Sequence, residues 1–307
     1  MNIALIGGTG LIGSEIYSQL DDKHNVTCFG RNAQNDKFID ISDANSIESS
    51  DLSGYDTLIH CAGITDEQFK ENPERAFYQG TYCTSILMNL AIKYGIEKMI
   101  YFSTAHVYGS FKNHVSENTS PNPLSSYSIT HYSTEQLIKS ITSDSKTHSL
   151  IIRPNAVFGI PPNLNSFNRW GLIPYSFPLE GVTKNKIILK SSGVQKRNFV
   201  STSDLAKYVK FYLEESNTFE KFDIVNPIGP ETITIKEFAQ KCATYVSRIT
   251  GSKCEVNIQS KAGKSIPAND FEYQTLYKTF QCEDTTDDYL TKIIPMIKAL
   301  NNEQTRK

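Results

Sequence analysis

Asn2-Ile3-Ala4-Leu5-Ile6-Gly7-Gly8-Thr9-Gly10-Leu11-Ile12-Gly13 is the stretch that decides the fold. Residues 2–6 are a short continuous apolar run, as expected for a strand buried on both faces of a parallel sheet. The glycines then allow a tight turn. Leu11, Ile12, Ile16 and Leu20 come next at helical spacing. Such a turn lets a pyrophosphate reach main-chain N–H groups at a helix start, where the helix dipole favours an anion. A purely structural glycine turn could look similar, so the pattern along the rest of the chain decides between the two.

The same alternation recurs. Val26–Phe29 and Lys37–Ile41 read as strands two and three, Thr57–His60 as a fourth and Lys98–Phe102 as a fifth, with Ser149–Arg153 as a sixth. Pro73–Tyr94 reads as one long helix and Tyr127–Ile141 as another. Repeated β-α alternation predicts an α/β fold, a Rossmann-type doubly wound parallel sheet. Residues 1–160 are expected to form the dinucleotide-binding domain, and 161–307 mainly a smaller α+β substrate lobe, with some elements returning to the core.

After residue 160 the pattern changes. Pro161, Pro162, Pro174 and Pro178 punctuate a segment read as irregular, which holds the only tryptophan, Trp170. Trp170 could stack on a base, but lobe packing is the plainer reading. Lys184, Lys186, Lys190, Lys196 and Arg197 form a basic run. The lysines read as a solvated face, and Arg197, with its planar fork, as a candidate diphosphate anchor. Helical patterning returns at Ser203–Glu214 and Ile235–Ile249, and the polar tail beyond Leu300 is expected to fray.

Across 307 residues, 31 basic and 33 acidic side chains leave a net charge of −2. That balance excludes a generic basic binder of nucleic acid or of acidic membranes. Cys28, Cys61, Cys83, Cys242, Cys254 and Cys282 show no zinc-ligand spacing, so no metal site is expected, and buried reduced thiols are the expected state. No stretch approaches a membrane span, and the first residues lack a signal peptide's basic region and long apolar run. A soluble cytoplasmic protein is expected.

Gly7, Gly10 and Gly13 are spaced G-x-x-G-x-x-G, which resembles the extended, sugar-nucleotide-modifying short-chain dehydrogenase/reductases. The resemblance continues to about residue 235. Asp40-Ile41 looks like the pair beside the adenine, and His60-Cys61-Ala62-Gly63 like the strand end over the adenosine ribose. Gly80-Thr81, Ser103-Thr104-Ala105-His106-Val107-Tyr108-Gly109, Arg153-Pro154 with Gly159, and Arg197-Asn198-Phe199-Val200 with Asp204 match further family segments. The resemblance implies cofactor contacts from Gly7, Gly10, Leu11, Ile12, Gly13, Asp40, Ile41, Cys61, Ala62, Gly63 and Pro154. It also implies a nucleotide-sugar substrate and a homodimer built on the fourth helix and the Tyr127 helix.

The second strand ends Phe29-Gly30-Arg31-Asn32, with no acid before Asp36. An acid there suits the ribose hydroxyl of NAD, whereas Gly-Arg leaves room and charge for the phosphate of NADP. NADP is therefore expected through Arg31, with NAD still open; the plain reading of Arg31 is a surface side chain.

The resemblance makes Tyr127 the acid/base and Thr104 its hydrogen-bond partner on the substrate oxygen. A tyrosine with a pKa of about 10 needs a nearby cation to act as a base at neutral pH. The family has lysine four residues after the tyrosine; here that residue is His131. The spacing keeps both on one helix face, but a histidine of pKa ~6.5 is mostly neutral at pH 7. Either His131 replaces the lysine, charged by the cofactor phosphates or bonded to the ribose, or the site has lost much of its activity. Phe77 stands where the family often has Asn, and Ala156 where it has a substrate-contacting Asn, leaving Asn155 as the nearest candidate. Ala105-His106 replaces the Asp-Glu of related 4,6-dehydratases, which argues against that branch. In epimerase–reductases of the GDP-fucose type, the position of His106 carries an acid/base cysteine, so His106 either exchanges a proton with the sugar or packs against the strand end.

Overall fold

The run of buried residues in Ile3–Ile6 is matched by Thr57–His60 and by Met99–Phe102, and these segments pair side by side. A computed structural model describes residues 1–215, 220–259, 270–277 and 280–305. Its main sheet has seven parallel strands: β1 (Asn2–Ile6), β2 (Asn25–Gly30), β3 (Lys37–Phe38), β4 (Thr57–His60), β5 (Lys98–Phe102), β7 (His148–Ile152) and β11 (Phe222–Val225). Their order is β11-β7-β5-β4-β1-β2-β3. Strand order reverses between β1 and β4, and in doubly wound sheets ligands bind above the carboxyl ends at that reversal.

Helices cover both faces. α1 (Leu11–Leu20) and α8 (Thr202–Glu214) pack on one face through Ile16, Leu20, Leu205 and Val209. On the other lie α2 (Ala44–Glu48), α5 (Thr84–Lys93) and α6 (Ser126–Thr142), packed through Ile47, Leu87, Met88 and Ile138. The remaining strands form a three-stranded sheet of β8 (Ala156–Phe158), β10 (Lys196–Ser201) and β12 (Glu231–Thr234), and the pairs β6 (His114–Val115) with β14 (Glu272–Tyr273) and β9 (Lys186–Leu189) with β13 (Glu255–Ile258). α7 (Ile173–Lys184), α9 (Ile235–Thr250) and α10 (Thr286–Thr305) enclose a separate apolar cluster around Phe199 and Phe238. No described helix is long and apolar enough to cross a membrane.

Three expectations are corrected and one is refined. The third strand stops at Phe38, and Asp40-Ile41 lie in the turn beyond it. The expected long helix runs unbroken from Pro73 to Lys93, after α3 (Asp66–Glu71), but its middle is wound more loosely: α4 (Pro73–Phe77) passes through a π-helical turn Tyr78–Cys83 into α5. The looser turn frees the Gly80 carbonyl to accept from Thr134 Oγ1 at 2.9 Å. A Cβ on Gly80 would lie 2.7 Å from both Ile64 Cδ1 and Thr130 Cγ2, so this glycine lets the turn seat against α6.

Residues 173–184, read as irregular for their prolines, are helical. Pro174 sits in the first turn, where a missing N–H costs nothing. Pro178 leaves the Pro174 carbonyl without its helix donor, and Tyr289 Oη donates to it at 2.9 Å. The tail beyond Leu300 continues α10 to Thr305, and residues 306–307 lie outside the described residues.

Candidate active site

The turn after β1 closes with Gly10 N donating to Gly7 O at 3.0 Å. A Cβ on Gly13 would lie 2.2 Å from Gly7 O, so only glycine lets α1 start this close to the strand. α1 begins at Gly10 with no side-chain cap and no acidic residue in its first turn, which leaves its leading N–H groups to an anion. Leu11 and Ile12 fix that helix start by packing into apolar clusters. Ala62, just past β4, lies against Gly7, and Cys61 packs beside it with its thiol pushed up by burial.

At the far edge of this groove Arg31 is exposed, with Nε 4.0 Å from Asp40 Oδ1. Asp40 is held by Ser42, whose N and Oγ donate to Oδ1 at 2.9 and 2.7 Å. Ile41 packs into the core beneath. Asp36, the first acid after β2, turns back to accept from Cys28 N at 2.7 Å and is spent on the strand.

β5 ends at Phe102, and the chain turns through Ser103 and Thr104 into a 3-10 segment, Ala105–Tyr108. Thr104 caps that segment, its Oγ1 accepting from His106 N at 3.2 Å. α6 starts at a capping box formed by Ser125 and Ser128 and carries Tyr127 close to Thr104, whose hydroxyl favours the phenolate. Burial raises the Tyr127 pKa; Arg169 and the Thr104 hydroxyl oppose it, and Asp66 adds to it. Tyr127 is therefore a neutral phenol, ready to donate.

His131 lies one turn further, its ring edge-on to Tyr127 with centroids 4.6 Å apart. It is buried, and burial pushes its pKa down to about 3, helped by the nearby His60 and His106. It is not a cation. Its Nδ1 is 2.8 Å from Tyr101 Oη, and its Nε2 is buried with no partner. The His106 ring, open to solvent, stands 6.4 Å from that of Tyr127 and 5.1 Å from that of Phe111. Partial loss of hydration against its neighbours and then Arg197 lower its pKa.

Arg197 stacks over Phe111 at 4.8 Å, with Nη1 donating to Lys196 O, and no carboxylate among the described residues lies within ion-pair distance of it. Asn155 has both side-chain polar atoms buried without partners, while the Pro154 carbonyl is taken by Ala105 N at 2.9 Å. Trp170 packs edge-on against Phe167 at 5.1 Å as part of an aromatic cluster. Lys184, Lys186 and Lys190 are exposed.

Sequence reading passes over Tyr101, Arg169 and Asp66, all of which act on this site, and takes His60 only as part of the strand end over the ribose. Tyr101 and His60 look like core in an apolar strand, and Arg169 lies in a loop without a motif. The glycine cradle and the buried, unpartnered His131 Nε2 and Asn155 amide fit a dinucleotide and the substrate beside it.

The fold and the cradle define a Rossmann-type dinucleotide-binding protein. Residues 3–227 match the NAD dependent epimerase/dehydratase family, and the chain belongs to it, within the extended short-chain dehydrogenase/reductases. A dTDP-D-glucose 4,6-dehydratase of Mus musculus is 27% identical over 259 residues, covering 79% of this chain and 67% of that protein. A GDP-6-deoxy-D-talose 4-dehydrogenase of Aggregatibacter actinomycetemcomitans is 25% identical over 239 residues, covering 75% and 76%. Among solved structures, the UDP-glucuronic acid 4-epimerase of Bacillus cereus, in complex with UDP-glucuronic acid and NAD, superposes with a TM-score of 0.78. Identity is 21%, with 98% of this chain and 100% of that one covered.

Proposed function

We propose that the protein is an NADP(H)-dependent epimerase or ketoreductase acting on a nucleotide-activated sugar. The observation that carries this reading is the hydroxyl pair Thr104–Tyr127 set at the end of β5, beside the glycine cradle. Relatives that are named for nucleotide sugars support the substrate class.

In this reading the cradle from Gly7 to Gly13 holds the cofactor diphosphate, and Asp40, Ile41, Cys61, Ala62 and Gly63 line its adenosine half. Arg31 reads the ribose phosphate. When bound, the nicotinamide supplies or takes up the hydride. Tyr127 Oη carries the proton, Thr104 orients the same substrate oxygen, and Asn155 and Arg197 hold the substrate. Burial keeps Tyr127 protonated, which suits it to give its proton to a ketone oxygen in the reducing direction. His106, at the cleft mouth, is placed to exchange a proton with the sugar.

Residues 1–160 then form the dinucleotide half and 161–307 most of the substrate half. A homodimer is supported by exposed Phe77, Tyr78, Tyr82, Ile129 and Leu137 on α4, the π turn and α6, an apolar group of the kind that marks an interface.

Thermal unfolding with NADPH, then with UDP-, dTDP-, GDP- and CDP-sugars added, tests the reading. A ligand at ~100 times its Kd stabilises by roughly 2.7 kcal/mol. A second upward shift from one nucleotide sugar is expected. A cofactor shift with no response to any sugar would favour a non-catalytic dinucleotide-binding partner protein, consistent with the uncharged His131.

A further inference from the structure

Four rings cross the carboxyl end of the sheet in sequence. His60 and Tyr101 are register partners on β4 and β5, with centroids 5.7 Å apart. Tyr101 and His131 come next at 5.8 Å, and His131 and Tyr127 at 4.6 Å. Within this row a short hydrogen bond joins Tyr101 Oη to His131 Nδ1 at 2.8 Å, both side chains being buried. His60 anchors elsewhere, its Nε2 3.3 Å from Thr84 Oγ1.

A buried phenol has one proton to give. Thr134 Oγ1 lies in the same region, but an imidazole nitrogen is a much stronger acceptor than a hydroxyl. Donation from Tyr101 into Nδ1 leaves the ring proton on Nε2, the nitrogen that has no partner in the protein. The surroundings give His131 no reason to take a second proton. His60 on β4 and His106 after β5 face it as further bases, and Tyr101 and Tyr127 are neutral phenols. Glu135, one turn along α6, is held by Arg153 and Ser103, while Asp66 on α3 acts on Tyr127 and His106.

We propose that Tyr101 is a positioning residue: its hydroxyl donates to His131 Nδ1, fixes the neutral tautomer with the proton on Nε2, and makes residue 131 an uncharged hydrogen-bond donor beside Tyr127. The lysine's donor function is kept and its charge is given up. This rests on the proposed function for its purpose, since the donor would serve the cofactor.

The test is the two-bond proton–nitrogen NMR spectrum of protein labelled with nitrogen-15 histidine, without sugar substrate, from about pH 8 to about pH 5. The His131 signals are assigned by their loss in His131→Asn. The expected spectrum shows His131 as the Nε2–H tautomer, unchanged across that range. In Tyr101→Phe, which removes only the hydroxyl, tautomers should mix and the Kd for NADPH should rise about fivefold to tenfold, the worth of one hydrogen bond. A proton on Nδ1 in the wild type, titration of His131 near neutrality, or an unchanged tautomer in Tyr101→Phe would each overturn the proposal. If Tyr101→Phe does not fold, the wild-type tautomer alone decides. Failure to turn over any nucleotide sugar leaves this test untouched.

Discussion

Glu135 and Arg153 meet in a two-pronged ion pair, Nε to Oε1 at 2.9 Å and Nη2 to Oε2 at 2.5 Å, with neither side chain more than 1% exposed. Ser103 Oγ donates to the same carboxylate at 2.5 Å, and the Arg153 guanidinium lies over the Tyr108 ring at 4.8 Å. The pair ties α6, which carries Tyr127 and His131, to the chain just beyond β7. Removing one partner of a buried pair strands the other charge, at a cost of about 3–5 kcal/mol. Glu135→Gln should lower stability by that amount in urea unfolding. A loss below about 1 kcal/mol, the range of exposed pairs, would contradict the buried assignment.

Two buried histidines make the fold sensitive to acid. The pKa of His60 is pushed to about 4 and that of His131 to about 3, both first by burial. Unfolded histidine titrates near ~6.5, so the unfolded chain binds the extra protons, and stability falls as pH drops below that value. Above it neither form is protonated and this contribution is flat. At pH 5 the loss is of the order of 2 kcal/mol for each histidine. Denaturation midpoints measured down to about pH 5 should fall accordingly, and His131→Asn should flatten the slope. A midpoint independent of pH over that interval would count against buried neutral rings.

Position 131 offers a direct comparison with the lysine of the family. His131→Lys keeps a donor one turn after Tyr127 and restores the charge, so turnover near neutral pH should hold or rise. Complete loss of turnover in a folded variant would mean that the histidine has a different task, one that lysine cannot perform.

In the proposed reading, cofactor choice rests on Arg31. Its guanidinium is exposed and only loosely paired with Asp40, at 4.0 Å, so it is free to meet a phosphate. Arg31→Ala should weaken NADPH at least tenfold by titration calorimetry, about the 1.4 kcal/mol of one charge-assisted contact, while leaving NADH nearly unchanged. Equal weakening of the two would assign the residue to the surface.

The parallel sheet is legible because its central strands are short apolar runs, Ile3–Ile6 and Met99–Phe102 among them, buried on both faces. The glycine turn, Thr104, Tyr127 and His131 are legible from motif and spacing. Helix 173–184 is hidden by Pro178, because the donor that rescues its freed carbonyl, Tyr289, lies far along the chain. The π turn is equally invisible, since it depends on Thr134 and Gly80 meeting across two helices. Tyr101 reads as one more apolar residue in Lys-Met-Ile-Tyr-Phe until the fold brings His131 to its hydroxyl. Local patterns encode the elements, while contacts between distant residues encode the site's tuning.

In the proposed reaction Tyr127 moves a proton as hydride moves between the cofactor and a nucleotide sugar. The direct test is single-turnover absorbance of the nicotinamide, with the sugar that shifts the melting midpoint, in wild type and Tyr127→Phe. The hydride-transfer rate should fall about 100-fold to 10,000-fold in Tyr127→Phe, with NADPH affinity within a few-fold of wild type. A rate unchanged by loss of the Tyr127 hydroxyl would contradict that role.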